Sequence, residues 1–266
     1  MTGEPVILVD QQFSKTAYRE RLQKSVLRSK SSIEYKFQNI SAVLHDHRVP
    51  FIDGYKPARN YQAALATEVI RQIEAHPKLL DIMRIAVLKP AVPRLDIQWH
   101  AQVPTRPLLE IVGPSSRRAF HTDFAQLEQS NSDLGKAGEL AVLARERSRL
   151  ESAGRADLAE RVRHSAVERG DGLGYDIESF RTDGSRTFLE VKTTRRGVDW
   201  PMLVTRNEVE VSRELGGSYH LVRVFSFDKP TVGLYAVPGA IDVTCDLSPE
   251  SWQALPKPGM ATPMVA

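Results

Sequence analysis

Two short segments on either side of Thr182-Asp183-Gly184 constrain this chain more than any other part of it. The first is Gly174-Tyr175-Asp176-Ile177 and the second is Phe188-Leu189-Glu190-Val191-Lys192-Thr193-Thr194. They read as the two strands of a hairpin. In a strand, residues i and i+2 share a face, so Glu190 and Lys192 project together while Leu189 and Val191 project oppositely. Thr182-Asp183-Gly184 suits a three-residue loop, a type I turn closed by glycine in the left-handed region. Arg181 then pairs with Ser185, and counting back sets Asp176 opposite Glu190. A two-residue loop would shift the register and send Asp176 to the other face.

Two carboxylates converging beside a lysine make a site for a hard cation. Mg²⁺ takes carboxylate, carbonyl and water oxygens and keeps several of its waters. Such an ion can lower the pKa of a water and polarise a phosphoryl oxygen, the chemistry of phosphodiester hydrolysis. Lys192 would position or help deprotonate the attacking water and offset charge on the phosphate. The plainer alternative is a surface hairpin whose Glu and Lys pair in solvent and contribute little. A third acid lies upstream. Leu134 to Glu146 reads as a helix on which Glu139 shares a stripe with Gly135, Val142 and Leu143. An acid on an apolar stripe is costly unless paired or bound to a metal. The alternative is that Glu139 lies near the helix start and gains from the macrodipole.

The run from Gly135 to about Phe227 resembles the C-terminal domain of the NO VEIN family. The residues that carry the resemblance are Gly138-Glu139, Gly170 to Ile177, Glu190-Val191-Lys192-Thr193-Thr194 and Thr205-Arg206-Asn207-Glu208. Domains of that family recur in bacterial proteins associated with DNA restriction and are regarded as PD-(D/E)xK nucleases. The resemblance therefore implies a restriction-endonuclease-like fold shared with Mrr-type enzymes and Holliday-junction resolvases. It implies that Asp176, Glu190 and the Val191 backbone carbonyl hold Mg²⁺ (Mn²⁺ substituting), that Lys192 serves the water and that Glu139 is the helix acid. The superfamily's proline before the aspartate is replaced by Tyr175.

Composition agrees with a soluble globular chain, at 41% hydrophobic and 26% charged residues. A length of 266 residues holds one large or two ordinary domains. No apolar stretch approaches bilayer length, and Met1-Thr2-Gly3-Glu4-Pro5-Val6 lacks a basic n-region, so a cytoplasmic location without membrane partners is expected. Cys245 is the one cysteine, which excludes an internal disulfide and a cysteine-rich zinc site. Residues 1–120 carry 18 Lys and Arg against 11 Asp and Glu, a net of +7, and residues 121–266 carry 18 against 22, a net of −4. The basic half is a candidate electrostatic footprint for nucleic acid, with scattered solvated charge as the alternative.

The chain divides into a helical domain at 1–88, a proline-rich connector at 89–131, the nuclease-like domain at 132–245 and a tail at 246–266. In the first part, helices are expected over 14–30, 31–46, 59–75 and 78–87, a small all-α domain without a strand signal. Glu34 to Leu44 and Gly54 to Gln62 are similar to a helical module that accompanies nuclease domains in some restriction-associated proteins. The connector holds Pro90, Pro93, Pro104, Pro107 and Pro114, with a short strand at Leu108 to Val112. Beyond it the expected order is helix, the hairpin strands, a strand at Met202-Leu203-Val204, a helix opened by the capping box Thr205 to Glu208, then strands at Tyr219 to Phe227 and Thr231 to Val237. The fold class is α/β, a mixed sheet flanked by helices.

Other chemistries find little support. Gly170, Gly172 and Gly174 precede a strand instead of linking a strand to a helix, so they do not form a dinucleotide fingerprint. His45-Asp46-His47, His121 with Asp123, and His220 read as surface or core histidines, and no nucleophile elbow is present. Arg195, Arg196, Arg206 and Thr193 are the candidate nucleic-acid contacts, with a solvated arginine surface as the alternative. The leading expectation is a Mg²⁺-dependent DNA endonuclease of a restriction or other defence system, dimerising to cut both strands. The alternatives are a non-catalytic module that binds nucleic acid or a partner protein, and a structure-specific repair nuclease.

Overall fold

Side-chain oxygens set where the first helices begin. The computed structural model describes residues 14–52, 54–94, 97–103, 124–169 and 171–249. Ser14 caps α1 (Lys15–Gln23) by accepting from the Ala17 amide at 3.3 Å, and Ser29 caps α2 (Lys30–Asp46) by accepting from Ser32 at 3.2 Å. α1 therefore stops well short of residue 30, because the Ser29 cap belongs to the next helix. α3 (Ala63–Ala75) starts later than Arg59 for a different reason. Asn39 Nδ2 donates to the Ala58 carbonyl at 2.6 Å, while Asp46 accepts from Arg59 Nη2 at 2.7 Å and from the Tyr61 hydroxyl at 2.6 Å. These bonds pin residues 58–62 against α2 in a non-helical course. α4 (Pro77–Leu88) opens on a proline, which lacks the amide hydrogen a first turn cannot use.

The helices do not close on themselves. Val49, Ile73, Met83 and Val87 share a core with Phe124 of α5 (Phe124–Gln129) and with Trp200, which lies far along the chain. Asn131 Nδ2 donates to the carbonyls of Val87 and Lys89, both at 3.1 Å. The proline-rich stretch is more than a connector, since α5 lies in it and so does β1 (Gln98–Ala101). The strand expected at Leu108 to Val112 lies outside the described residues, as do His121 and Asp123.

β1 is one edge of a six-stranded mixed sheet of order β1-β6-β5-β4-β3-β2. After α6 (Ser132–Ser152) and the short α7 (Ala156–Ala159), the chain forms β2 (Arg163–His164) and α8 (Ser165–Arg169). The hairpin follows as β3 (Ile177–Phe180) and β4 (Arg186–Thr193). A crossover through α9 (Arg206–Leu215) returns the chain to β5 (Tyr219–Phe225), parallel to β4, and β6 (Thr231–Pro238) pairs antiparallel with β5. The short α10 (Ile241–Thr244) ends the described elements. Met202-Leu203-Val204 is not a strand. Met202 and Val204 pack instead with Tyr219, Leu221 and Ile241 beneath α9.

The sheet is covered on both faces. Leu189, Val191, Val222 and Val224 pack with Leu134, Ala137, Ala141 and Val142 of α6. Phe188, Tyr219 and Leu221 pack on the opposite side with Val209, Val211 and Leu215 of α9. The period of two then sends Glu190 and Lys192, which alternate with Leu189 and Val191, to the α9 side. No described helix is long and apolar enough to cross a membrane.

Candidate functional site

The turn determines the register. Gly184 adopts φ +91°, its amide donates to the Arg181 carbonyl at 3.0 Å, and Arg181 donates to the Ser185 carbonyl at 2.8 Å. Phe180 pairs with Arg186 and Ile177 with Leu189, so the next step of the ladder sets Asp176 against Glu190. Asp176 is held at that point by its own backbone and side chain. Its amide donates to Leu189 at 2.8 Å, and Oδ2 accepts from the Val191 amide at 2.7 Å.

Glu190 and Lys192 meet on their shared face, with Nζ 2.8 Å from Glu190 Oε1. The same ammonium lies 2.8 Å from Oε2 of Glu208, on the first turn of α9. Glu208 earns no role from the hairpin pattern. Its signal was the capping box, in which Thr205 Oγ1 accepts from the Glu208 amide at 3.2 Å and Glu208 Oε2 accepts from Thr205 at 3.1 Å.

Glu139 arrives from the other side of the sheet. α6 can approach β4 closely because Gly138 has no side chain: a Cβ there would lie 1.8 Å from Thr193 Oγ1. One residue on, Glu139 Oε2 sits 2.7 Å from Nε2 of the buried His164 on β2. Spacing gave no hint of His164, whose strand is two residues long and exists through its pairing with β3.

Electrostatics mark the site. Burial pushes the Asp176 carboxyl up to about 7, helped by the negative charge of Glu139. Burial likewise raises Glu190 to about 8, against the pull of Lys192. Burial alone would lower Lys192, but Glu190 and Glu208 outweigh it and the ammonium is held above its ordinary value. Arg223, opposite Lys192 in β5, is fully buried, donates to the carbonyls of Lys192 and Trp200, and is lowered to about 10 by desolvation.

Asp176, Glu190, Lys192, Glu139 and Val191 line one pocket of about 200 Å³. Asp176, Glu190 and Glu139 also border an adjoining open cleft of about 870 Å³, whose wall includes Lys136, Tyr175, Asn207 and Glu208. Among the described residues, no three His, Cys, Asp or Glu side chains close around one point as a ready-made metal cage. Mg²⁺ does not require one, since one or two carboxylates with water satisfy it. The buried Glu190 and the half-buried Asp176, which both resist ionisation side by side, are a donor set that a divalent cation would stabilise. The residues present fit such an ion.

The expected phosphate contacts separate. Arg206 starts α9 with its side chain 91% exposed and paired to Glu210 at 2.7 Å, so it faces solvent. Arg195 is engaged within the chain. Its guanidinium bonds Asp228 at 2.8 Å and the carbonyls of Val87 and Lys89 at 3.2 and 2.6 Å, tying α4 to the sheet and leaving little for a phosphate. Arg196 is half-buried over the Trp200 ring, 5.9 Å from its centroid. Thr193 lines the pocket, with its hydroxyl buried under α6 against Gly138.

The architecture is thus a mixed α/β sheet with a carboxylate-rich pocket where β3, β4, α6 and α9 meet. The family described as "Protein NO VEIN, C-terminal" matches residues 138–236 of the chain. That stretch contains Glu139, His164, Asp176, Glu190, Lys192 and Glu208 and none of the first five helices. No curated protein and no solved structure matches this chain.

Proposed function

We propose that the chain is a Mg²⁺-dependent DNA endonuclease built on a restriction-endonuclease-like core of the PD-(D/E)xK type. The observation that carries the reading is the convergence of Asp176, Glu190 and Lys192 on one pocket that adjoins a larger cleft. Asp176 and Glu190, with the Val191 carbonyl, would hold the ion. Mg²⁺, or Mn²⁺ in its place, supplies Lewis acidity at a phosphoryl oxygen and lowers the pKa of a water.

The protein's own groups do the rest. Lys192 stays protonated, because its two carboxylate partners raise its pKa, so it acts as a fixed donor and not as a base. In that form it orients the attacking water and offsets charge developing on the phosphate. Glu139, braced by His164, adds a third carboxylate at the rim for the water's proton. Lys136 on the cleft wall and Arg206, between the wall residues Thr205 and Asn207, are exposed cations that would draw in the backbone of DNA without reading its sequence. A homodimer would supply the second cut of a duplex.

One observation favours a second reading, a non-catalytic module that keeps the fold to bind nucleic acid or protein. Lys192 already pairs with both Glu190 and Glu208, so these charges are compensated from within the chain. Incubating supercoiled plasmid with the protein and Mg²⁺ or Mn²⁺ separates the two. Metal-dependent nicking or linearisation that disappears in Glu190→Ala and Lys192→Ala supports the nuclease. DNA binding without cleavage, the same in all three proteins, supports the module. Preference for branched over linear duplex in the same assay would make it a structure-specific nuclease instead of a restriction enzyme.

A further inference from the structure

Glu208 does more than a helix cap requires. The cap itself needs only an oxygen at the third position of the helix, which a neutral glutamine also provides. Glu208 nevertheless places a carboxylate in a buried position, where an unpaired charge is costly. Its Oε2 makes the cap to Thr205 and at the same time meets Lys192 Nζ at 2.8 Å. Glu190 Oε1 meets that ammonium at the same distance. One lysine is thus shared equally between a carboxylate on the sheet and a carboxylate on α9.

The two carboxylates are not equivalent. Glu190 borders the pocket with Asp176, while Glu208 lies back from it on the wall of the cleft. An ammonium and a divalent ion compete for the same Glu190 oxygens, since both are satisfied by the same lone pairs. We propose that Glu208 is a positioning residue for Lys192: it holds the ammonium when Glu190 turns its oxygens to a divalent cation. The lysine then stays within reach of the site without blocking it. This rests on the assignment of Asp176 and Glu190 to a metal and extends it to the group that makes their site available.

The test is titration calorimetry of Mn²⁺ alone into the full chain at fixed pH. Glu208→Gln, which keeps the cap, should bind Mn²⁺ about tenfold more weakly than the wild type, the scale expected of an outer partner of a metal ligand. Glu208→Asp, which keeps the charge but withdraws it from Lys192, should show the same loss and serves if the glutamine variant folds poorly. Thr205→Ala breaks the hydroxyl half of the cap and should leave Mn²⁺ affinity unchanged. In a Lys192→Met background, Glu208→Gln should have no further effect. Wild-type affinity in both Glu208 variants would overturn the inference while leaving the metal assignment intact. A loss that persists undiminished with Lys192→Met would also overturn it, by making Glu208 a direct ligand. Absence of Mn²⁺ binding by the wild type would overturn the metal assignment and the inference together.

Discussion

Two buried clusters of charge on this sheet show how differently a fold can treat a carboxylate. Glu146, on α6, is fully engaged: Arg149 Nη2 lies 2.7 Å and the Ser179 hydroxyl 2.9 Å from its Oε2, and Arg145 Nη1 3.4 Å from Oε1. Guanidinium and hydroxyl donors surround it, as a structural buried acid demands. Around Asp176 the ratio is reversed. Four carboxylates, Asp176, Glu190, Glu208 and Glu139, gather near Lys192, and Asp176 accepts one backbone hydrogen bond. The first cluster is complete. The second has more carboxylates than donors at the mouth of a cleft, and that surplus of acceptor oxygens is what a cation-dependent site needs.

The comparison breaks most sharply on catalysis. Lys192→Ala or Glu190→Ala should lower the metal-dependent cleavage rate by about 100- to 10,000-fold, whereas Glu146→Ala should leave the rate per folded molecule unchanged. Initial rates on plasmid DNA, normalised to the folded fraction by circular dichroism, check both; equal losses would erase the distinction. Stability should show the opposite pattern. Removing the Glu146 carboxylate leaves the buried Ser179 hydroxyl without its acceptor, while Arg149 keeps the Phe180 carbonyl, and should destabilise by about 1–3 kcal/mol in urea unfolding.

Substitution at the site should instead stabilise the metal-free protein. Asp176 and Glu190 have folded-state values of about 7 and about 8, above the value near 4 of an unfolded carboxylate. The folded chain therefore holds protons that the unfolded chain releases. Their contribution is fully present below about pH 4 and is lost as pH rises through about 7 and about 8. Asp176→Asn, which can still accept from Val191, should be more stable than wild type at pH 8 by on the order of 2 kcal/mol and level with it near pH 4. Millimolar Mg²⁺ should narrow the gap at pH 8 by stabilising the wild type alone. A gap that grows toward low pH would reverse the sign and refute the account.

The smallest effect is expected at His164. Replacing it with Gln removes the brace on Glu139 without emptying the space, and should slow cleavage by about tenfold with unfolding midpoints unchanged. A loss as large as that of Lys192→Ala would make His164 part of the reacting centre.

Sequence carried much of the hairpin and little of its surroundings. A three-residue turn with Gly184 specifies the register by counting, and alternation then specifies the face of Glu190 and Lys192. The box at Thr205 marked the start of α9 for the same local reason. Arg195 and Thr193 looked available because a residue beside a motif says nothing about what packs on it. α4 and α6 occupy them. The segment Met202 to Val204 has strand-like composition, yet it lies under α9 against Tyr219, Leu221 and Ile241.

What the sequence determined by itself is local: turn type, strand alternation and helix caps, each set by interactions a few residues apart. Only the tertiary structure brought Glu208 to Lys192, His164 to Glu139, β1 to the edge of the sheet and Trp200 into the core of the helical region. Those contacts join elements whose separation along the chain leaves no periodic trace. They form because apolar faces with no local partner must be buried against something, and the packing that buries them also carries the charged groups into place.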